Sequence, residues 1–403
     1  MNFVATFALL VFSTSTGAVP DSVRISLFTL FKPETLQVRV ASGEAAVLES
    51  SGRTDSRRVS RSELIQISLS GNRLNTFISG SHAAIKQSGA RMEVRITPVS
   101  SATLELILPG KIKREVRGAI SVDAGPGGRG PLRILLTTDR ESAVASIVAA
   151  ETSRREPEAL KALAVVVRTF MISQSGRHSG DGFDFCDTTH CQVYRGEQDL
   201  SDTGALPAVT EAVDQTRGQT LRFEGGVVDA YYSAACGGIS ATPAMVWGGN
   251  SRYPYGRIAC QWCRGSRFSR WERSASAARV LASISAFTGS NLSSATDLVI
   301  DCDRTDGLVR SVTMRDGIKK TVLSADGFRR AIGLQLGWNT VLSPTFTVER
   351  RGSRLIFRGR GFGSQVGLCE AGAVAQAVAG RNYREILGFY YPAARVSEQA
   401  ANE

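Results

Sequence analysis

The stretch SIVAAETSRREPEALKALAVVVRTF, residues 146–170, decides how the chain is read. Val144, Ile147 and Val148 stand three and four apart and predict one face of a helix; position 151 completes that apolar set. Arg155-Glu156-Pro157 is a second start signal, because proline is tolerated in a first helical turn. Leu160, Leu163, Ala164, Val167 and Phe170 continue at helical spacing. The segment therefore predicts a helix end, a break and a second helix. Glu151 occupies the place where an apolar residue belongs. Burial disfavours the charged form of a carboxyl and raises its pKa, which is what a general acid needs to keep its proton near neutral pH. Spacing alone favours a glutamate that reaches solvent at a helix end, or one paired with Arg154, Arg155 or Arg168.

Outward from this segment the pattern changes. Residues 22 to about 125 predict strands: LQVRV (36–40) and MEVRI (92–96) alternate apolar and polar residues with period two. DAGPGGRGP (123–131) is a turn-rich break. C-terminal to it, SGRHSGDGFD (175–184) predicts a loop, and residues 218–238 a hairpin around Gly225-Gly226. Residues 274–290 predict a helix, 346–361 a second hairpin and 370–388 a last helix. The fold class is α+β, with helices and hairpins interleaved in a groove-bearing core over 131–392. A β-rich accessory region over 19–130 precedes it, and a short tail over 393–403 follows.

The chain has 403 residues, 42% hydrophobic and 21% charged, which supports folded domains with real cores. A net charge of +11 suits polyanions of several kinds. Arginine dominates the basic residues without long runs, so the surface is read as solvated rather than as a nucleic-acid interface. MNFVATFALLVFSTSTGAVP opens with an apolar run followed by small residues, with Thr16 and Ala18 at the small positions of a cleavage site. This predicts a signal peptide over 1–18 and export to the periplasm, envelope or exterior. The apolar run is too short to span a bilayer, and no later segment qualifies.

Further motifs follow in order. AAETSRREPEALKALAVVVRTF resembles the signature of the SpoIID/LytB family, a glutamate followed by an E-A-L-K-A-x-A-V-x-x-R-T helix. DFCDTTHCQVYRGE (184–197) resembles its D-x-x-H-C-Q-x-Y-x-G stretch, and TRGQTLRFEGGVVDAYYSAACGG (216–238) its Y-S-A-x-C-G-G stretch. VWGG with YPYGRIACQWC (246–263) takes the next place. GRGFGSQVGLCEAGAVAQAVAGRNYREILGFYYP (359–392) resembles the closing block, but Ser364, Gln365 and Glu370 stand where the family has His, Gly and Gln. The resemblance spans roughly 130–392. It implies a peptidoglycan lytic transglycosylase with Glu151 as the catalytic acid and base. It also implies glycan strands, and other cell-wall hydrolases, as partners. Loss of the family histidine at Ser364 puts turnover in doubt and keeps a second function in view, a non-catalytic glycan-binding activator of a cell-wall amidase.

Amide, hydroxyl and aromatic groups bind sugars. Gln192, Tyr194, Tyr232 and Ser233 are accordingly read as groove-lining, and Arg168 as a substrate contact or a partner of Glu151. Cys186, His190 and Cys191 in CDTTHC have donors that suit zinc, and the resemblance implies such a site. A fourth ligand is not apparent in the sequence, and a disulfide, Cys186–Cys191 or one with Cys236, is the standing alternative in an oxidising compartment. The CQWC pair, Cys260 and Cys263, reads as a disulfide or as paired with Cys236. Cys302 and Cys369 read as buried thiols, and His82 and His178 as solvated loop residues.

Overall fold

Helices form on both sides of the break, over Arg140–Glu151 (α1) and Pro157–Ser173 (α2), in a computed structural model of the protein. It describes residues 21–398 except 51–55, 72, 80–84, 87–92, 126–127, 129, 153 and 198–205. The signal-peptide segment and His82 lie outside the described residues. The Asp139 carboxylate caps α1 by accepting from the Ser142 N–H at 2.8 Å, satisfying a donor that the first turn cannot. Thr152, extended at φ −137°, ends it. Pro157 opens α2, where its missing N–H leaves no bond unmade.

Further helices run over Leu206–Gln215 (α3), Pro243–Trp247 (α4), Ala277–Thr288 (α5), Ala325–Leu336 (α6), Glu370–Val378 (α7) and Tyr383–Tyr390 (α8). The segment expected as one last helix is two. Gly380, at φ +86°, turns the chain after α7. Asn382 and Glu385 then form a capping box that starts α8 afresh. α2 is buried almost all round, as a central helix should be; α1, α3, α7 and α8 pack against it.

The β-rich region builds two sheets. Strand Thr35–Ser42 buries Leu36, Val38 and Val40, and strand Val94–Pro98 buries Val94 and Ile96, as their alternation requires. The larger sheet runs in the order Phe185–Cys186, Ser22–Leu27, Arg133–Asp139, Ala119–Asp123, Val94–Pro98, Ala45–Ser50, Arg57–Ser60. It takes strands from both sides of residue 130: Ser22–Leu27 pairs antiparallel with Arg133–Asp139 and parallel with Phe185–Cys186. One hydrophobic core accordingly joins Val23 and Ile25 to α1, α2 and Tyr391. The accessory region is thus the wall on which α1 is mounted.

A second apolar core lies between α5, α6 and two three-stranded sheets, around Val280, Ile284, Val312, Met314, Phe328 and Phe357. The expected hairpin at 346–361 belongs here, pairing Phe346–Arg351 with Arg354–Gly359. The hairpin at Gly225-Gly226 is short, pairing Arg222 with Val227 and Phe223 with Gly226. The chain then leaves it, and Tyr232–Ser233 pairs in parallel with Leu368–Cys369. Among the described residues, no helix is long and apolar enough to cross a membrane.

Candidate active site

Glu151 is the last residue of α1, and its carboxylate Oε1 accepts from the Tyr232 hydroxyl at 3.0 Å and from the Val193 N–H at 3.4 Å. Burial raises its pKa above the ordinary carboxyl value, while Tyr232, Val193 and the Arg195 charge pull it down. Burial is the larger effect, so the acid form is favoured. Both bonds fall on Oε1, which makes Oε2 the oxygen suited to carry and deliver a proton.

Two strands of chain deliver these partners. The segment 184–197 is pinned at its start by Asp187, whose carboxylate accepts from the Phe28 N–H at 2.7 Å and forms a buried ion pair with Arg114 at 2.6 Å. At its end the Ser146 hydroxyl of α1 donates to the Gly196 carbonyl at 2.9 Å. A Cβ at Gly196 would lie 2.3 Å from the Glu115 carbonyl, so only glycine lets the loop lie this close to the sheet. Tyr232 arrives through its pairing with Leu368. Gly367 at φ +73° permits that approach, since a Cβ there would stand 2.0 Å from the Tyr231 carbonyl.

That same pairing brings in a carboxylate that sequence reading registered only as a departure from the family pattern. Glu370 follows Cys369 directly and opens α7. Burial, then the charge of Glu151, push its pKa well above the usual range. Burial and both carboxylates also hold the Tyr232 phenol far above its ordinary value. Two acids that share one field do not both ionise readily. Hydrogen bonds partly offset the burial of Glu151, so of the two raised acids Glu370 holds its proton the more firmly. The available signal was the charge change itself, an acid where an amide was expected beside an apolar run.

The other expected residues divide. Tyr232, expected to line the groove, stands at the acid, with its hydroxyl on Glu151. Ser233 is buried, 3.1 Å from Ser364 through their hydroxyls, so the residue at the family's histidine position faces the strand that carries Tyr232. Gln192 is 4% exposed, and its amide lies beside the Tyr232 hydroxyl, whose ionised form it favours; among the described residues neither amide atom makes a hydrogen bond of good geometry. Tyr194 is not groove-lining: at 2% exposure it packs inside the shared core. Arg168 does not meet Glu151 either. It is fully buried and forks onto Glu141, at the start of α1, at 2.7 and 2.6 Å, and it donates to the Gln219 carbonyl at 3.1 Å. It clamps α2 to α1. Gln365 takes φ +65°, which accounts for glycine in the family pattern, and its amide bonds Thr345, Cys236 and Arg360.

Cys186, His190 and Cys191 do come together, and His178 joins them. The four donor atoms lie within 4.8 Å of one another. Cys186 Sγ is 3.5 Å from Cys191 Sγ and 3.7 Å from His190 Nδ1; His178 Nε2 is 3.3 Å from Cys191 Sγ. His178 is therefore no solvated bystander but the fourth donor missing from the sequence reading. Its sequence distance, beyond a loop and a short turn, hid it. Neither Cys186 nor Cys191 is in a disulfide. The sulfur separation matches the edge, about 3.8 Å, of a zinc tetrahedron with Zn–S bonds of about 2.3 Å. The set is closed, without the open position a catalytic zinc needs. The remaining cysteines are free as well: Cys302 is exposed, contrary to expectation, and Cys369 is buried beside Cys236, Cys260 and Cys263.

A family profile described as SpoIID, Stage II sporulation protein, matches residues 129–223, which contain α1, α2 and the loop to Val193. An uncharacterised protein of Brachyspira hyodysenteriae is 30% identical over 58% of this chain and 60% of its own length. Stage II sporulation protein D of Bacillus subtilis is 26% identical over 78% of this chain and 89% of its own. The amidase enhancer of Bacillus subtilis is 28% identical over 58% of this chain and 37% of its own, so the chain spans well under half of that relative. The segment built around the buried acid of α1 is thus the part of the chain that matches the SpoIID family, and the relatives it resembles include Stage II sporulation protein D.

Proposed function

We propose that the protein acts on the bacterial cell wall as a peptidoglycan lytic transglycosylase, with Glu151 as general acid and then general base. The observation that carries this reading is the burial of Glu151 with its Oε1 held by Tyr232 and Val193. The acid protonates the oxygen leaving from the bond between N-acetylmuramic acid and N-acetylglucosamine. The muramic acid's own O6 hydroxyl traps the oxocarbenium-like centre, and the carboxylate of Glu151 takes that hydroxyl's proton. The product is a 1,6-anhydro sugar, and no water enters. A neutral Glu370 fits this scheme as a hydrogen-bond donor near the acid. An ionised one would instead supply the second carboxylate of a hydrolase. Gln192, beside Tyr232, and Ser233 with Ser364 are the polar groups offered to the sugar.

Zinc at His178, Cys186, His190 and Cys191 belongs to the same proposal. Its chemistry there is structural: four protein donors close the site and fix the loop that presents the Val193 N–H. Export, and partnership with other wall hydrolases, accompany the reading.

A second reading, a glycan-binding activator of a wall amidase, is supported by the amidase enhancer relative and by Ser364 at the histidine position. The test is mass spectrometry of soluble fragments from purified peptidoglycan, with and without stem peptides, beside Glu151→Gln. Anhydro-ended sugars that depend on Glu151 support the transglycosylase. Hydrated reducing ends that depend on Glu151 mean hydrolysis. Intact wall binding without fragments favours the activator.

A further inference from the structure

Cys236, Cys260, Cys263 and Cys369 come from three distant parts of the chain and converge. Cys236 lies just beyond strand Tyr232–Ser233, Cys369 ends strand Leu368–Cys369, and Cys260 and Cys263 form the two arms of the CQWC turn. All four are at most 1% exposed. Their sulfurs lie within 4.8 Å of one another, and Cys236 Sγ is 3.6 Å from Cys263 Sγ. None is in a disulfide. A disulfide would bring one pair to about 2.05 Å. Four sulfurs around one zinc at about 2.3 Å stand about 3.8 Å apart. The spacing here is that of a shared centre rather than of two bonded pairs.

The surroundings are those of thiolates. Cys369 Sγ accepts from the N–H groups of Cys236 and Gly372, each at 3.3 Å, and Cys260 Sγ lies 3.3 Å from the Tyr390 hydroxyl. Donors of this kind disperse the negative charge of a four-thiolate centre and orient its ligands. Gly372 admits this: a Cβ there would meet the Tyr390 hydroxyl at 2.0 Å and Cys260 Sγ at 3.1 Å.

We propose that these four cysteines bind a structural zinc ion, a second metal centre separate from the His178 cluster and independent of the glycan-cleaving reading. Soft thiolates in a tetrahedral, four-sulfur set select zinc or iron among the common divalent ions. The set is compact enough for one ion, whereas a cluster of two or four irons spreads its cysteines over several centres. The ion knots together the strand that carries Tyr232, the strand that precedes Glu370 and the CQWC turn. The active-site pairing of Tyr232 with Leu368 is thereby fixed from beneath.

The experiment uses the full chain, purified without chelators and without added reductant. Metal content by mass spectrometry is compared among the native protein, a Cys260→Ser/Cys263→Ser variant and a His178→Ala/His190→Ala variant. The native protein is expected to carry one zinc more than the Cys260→Ser/Cys263→Ser variant, and that zinc persists in the histidine variant. Thiol titration of the native chain in denaturant with chelator needs no folded variant: all seven cysteines should react. Four fewer reactive thiols would mean two disulfides and would overturn the proposal. So would zinc content unchanged by Cys260→Ser/Cys263→Ser, or iron in place of zinc, seen as visible thiolate-to-iron absorption.

Discussion

Arg168→Met separates a structural arginine from a substrate-binding one. The guanidinium is fully buried and makes two short bonds to Glu141, whose side chain is 12% exposed. Methionine keeps the apolar stem but leaves the Glu141 carboxylate and the Gln219 carbonyl without their donor. Breaking a buried pair by removing one partner costs about 3–5 kcal/mol. Urea unfolding followed by tryptophan fluorescence should show a loss of that size. The double variant Glu141→Leu/Arg168→Met removes both charges and should recover most of it, because no uncompensated ion remains. Glu141 lies in the first turn of α1 and Glu151 ends it, so any residual loss of activity in the single variant should follow loss of folded protein. Native stability in Arg168→Met, together with weakened binding to glycan strands, would refute this reasoning and return Arg168 to the groove.

Tyr232→Phe removes a donor that stabilises ionised Glu151. The pKa of Glu151 should rise further, moving the alkaline limb of the pH–rate profile up, with turnover down by about tenfold for a bond of about 1.5 kcal/mol; an unmoved limb would exclude Glu151 as the titrating acid. Under the proposed transglycosylase reaction, Glu370→Gln should leave the anhydro product intact, because an amide replaces an acid whose proton is firmly held, and its loss would show that Glu370 acts as a second carboxylate. Gln365→Gly relieves the left-handed backbone but strands Thr345 and two carbonyls; a net destabilisation of about 1–2 kcal/mol in urea is expected, and a stabilised variant would mean the amide network contributes little.

The helical pair around residue 151 and the alternating strands were legible because each is set by local periodicity. Glu151 stood out as an acid on an apolar face. What stayed hidden depends on which segments meet. Nothing local to His178 announces that its ring reaches Cys191, 13 residues on. Arg168 looked like a site residue because it sits in the signature helix, yet helical phase turns it toward Glu141 rather than Glu151. Tyr194 lies two residues from Gln192 and was grouped with it, but it points into the core. The split between α7 and α8 rested on a glycine and a capping box inside a segment that otherwise kept helical spacing. Cys369 read as an inert thiol for the same reason as His178: its partners lie more than a hundred residues upstream.

Glu370 carries the clearest consequence for pH. Its folded pKa is raised, by burial and then by Glu151, so the native state binds more protons than the unfolded chain above the ordinary carboxyl pKa. Stability is therefore full at acid pH and falls as pH rises toward the folded value, at up to about 1.4 kcal/mol per pH unit. Glu151, raised in the same sense, adds to that slope. Glu370→Gln abolishes one contribution. It should stabilise the protein at pH 8 and make no difference near pH 3, where both acids are protonated in either state. Urea midpoints across that range are the measurement. A gain at pH 3 as large as at pH 8 would assign the effect to packing, and no gain at any pH would show that Glu370 ionises freely beside Glu151.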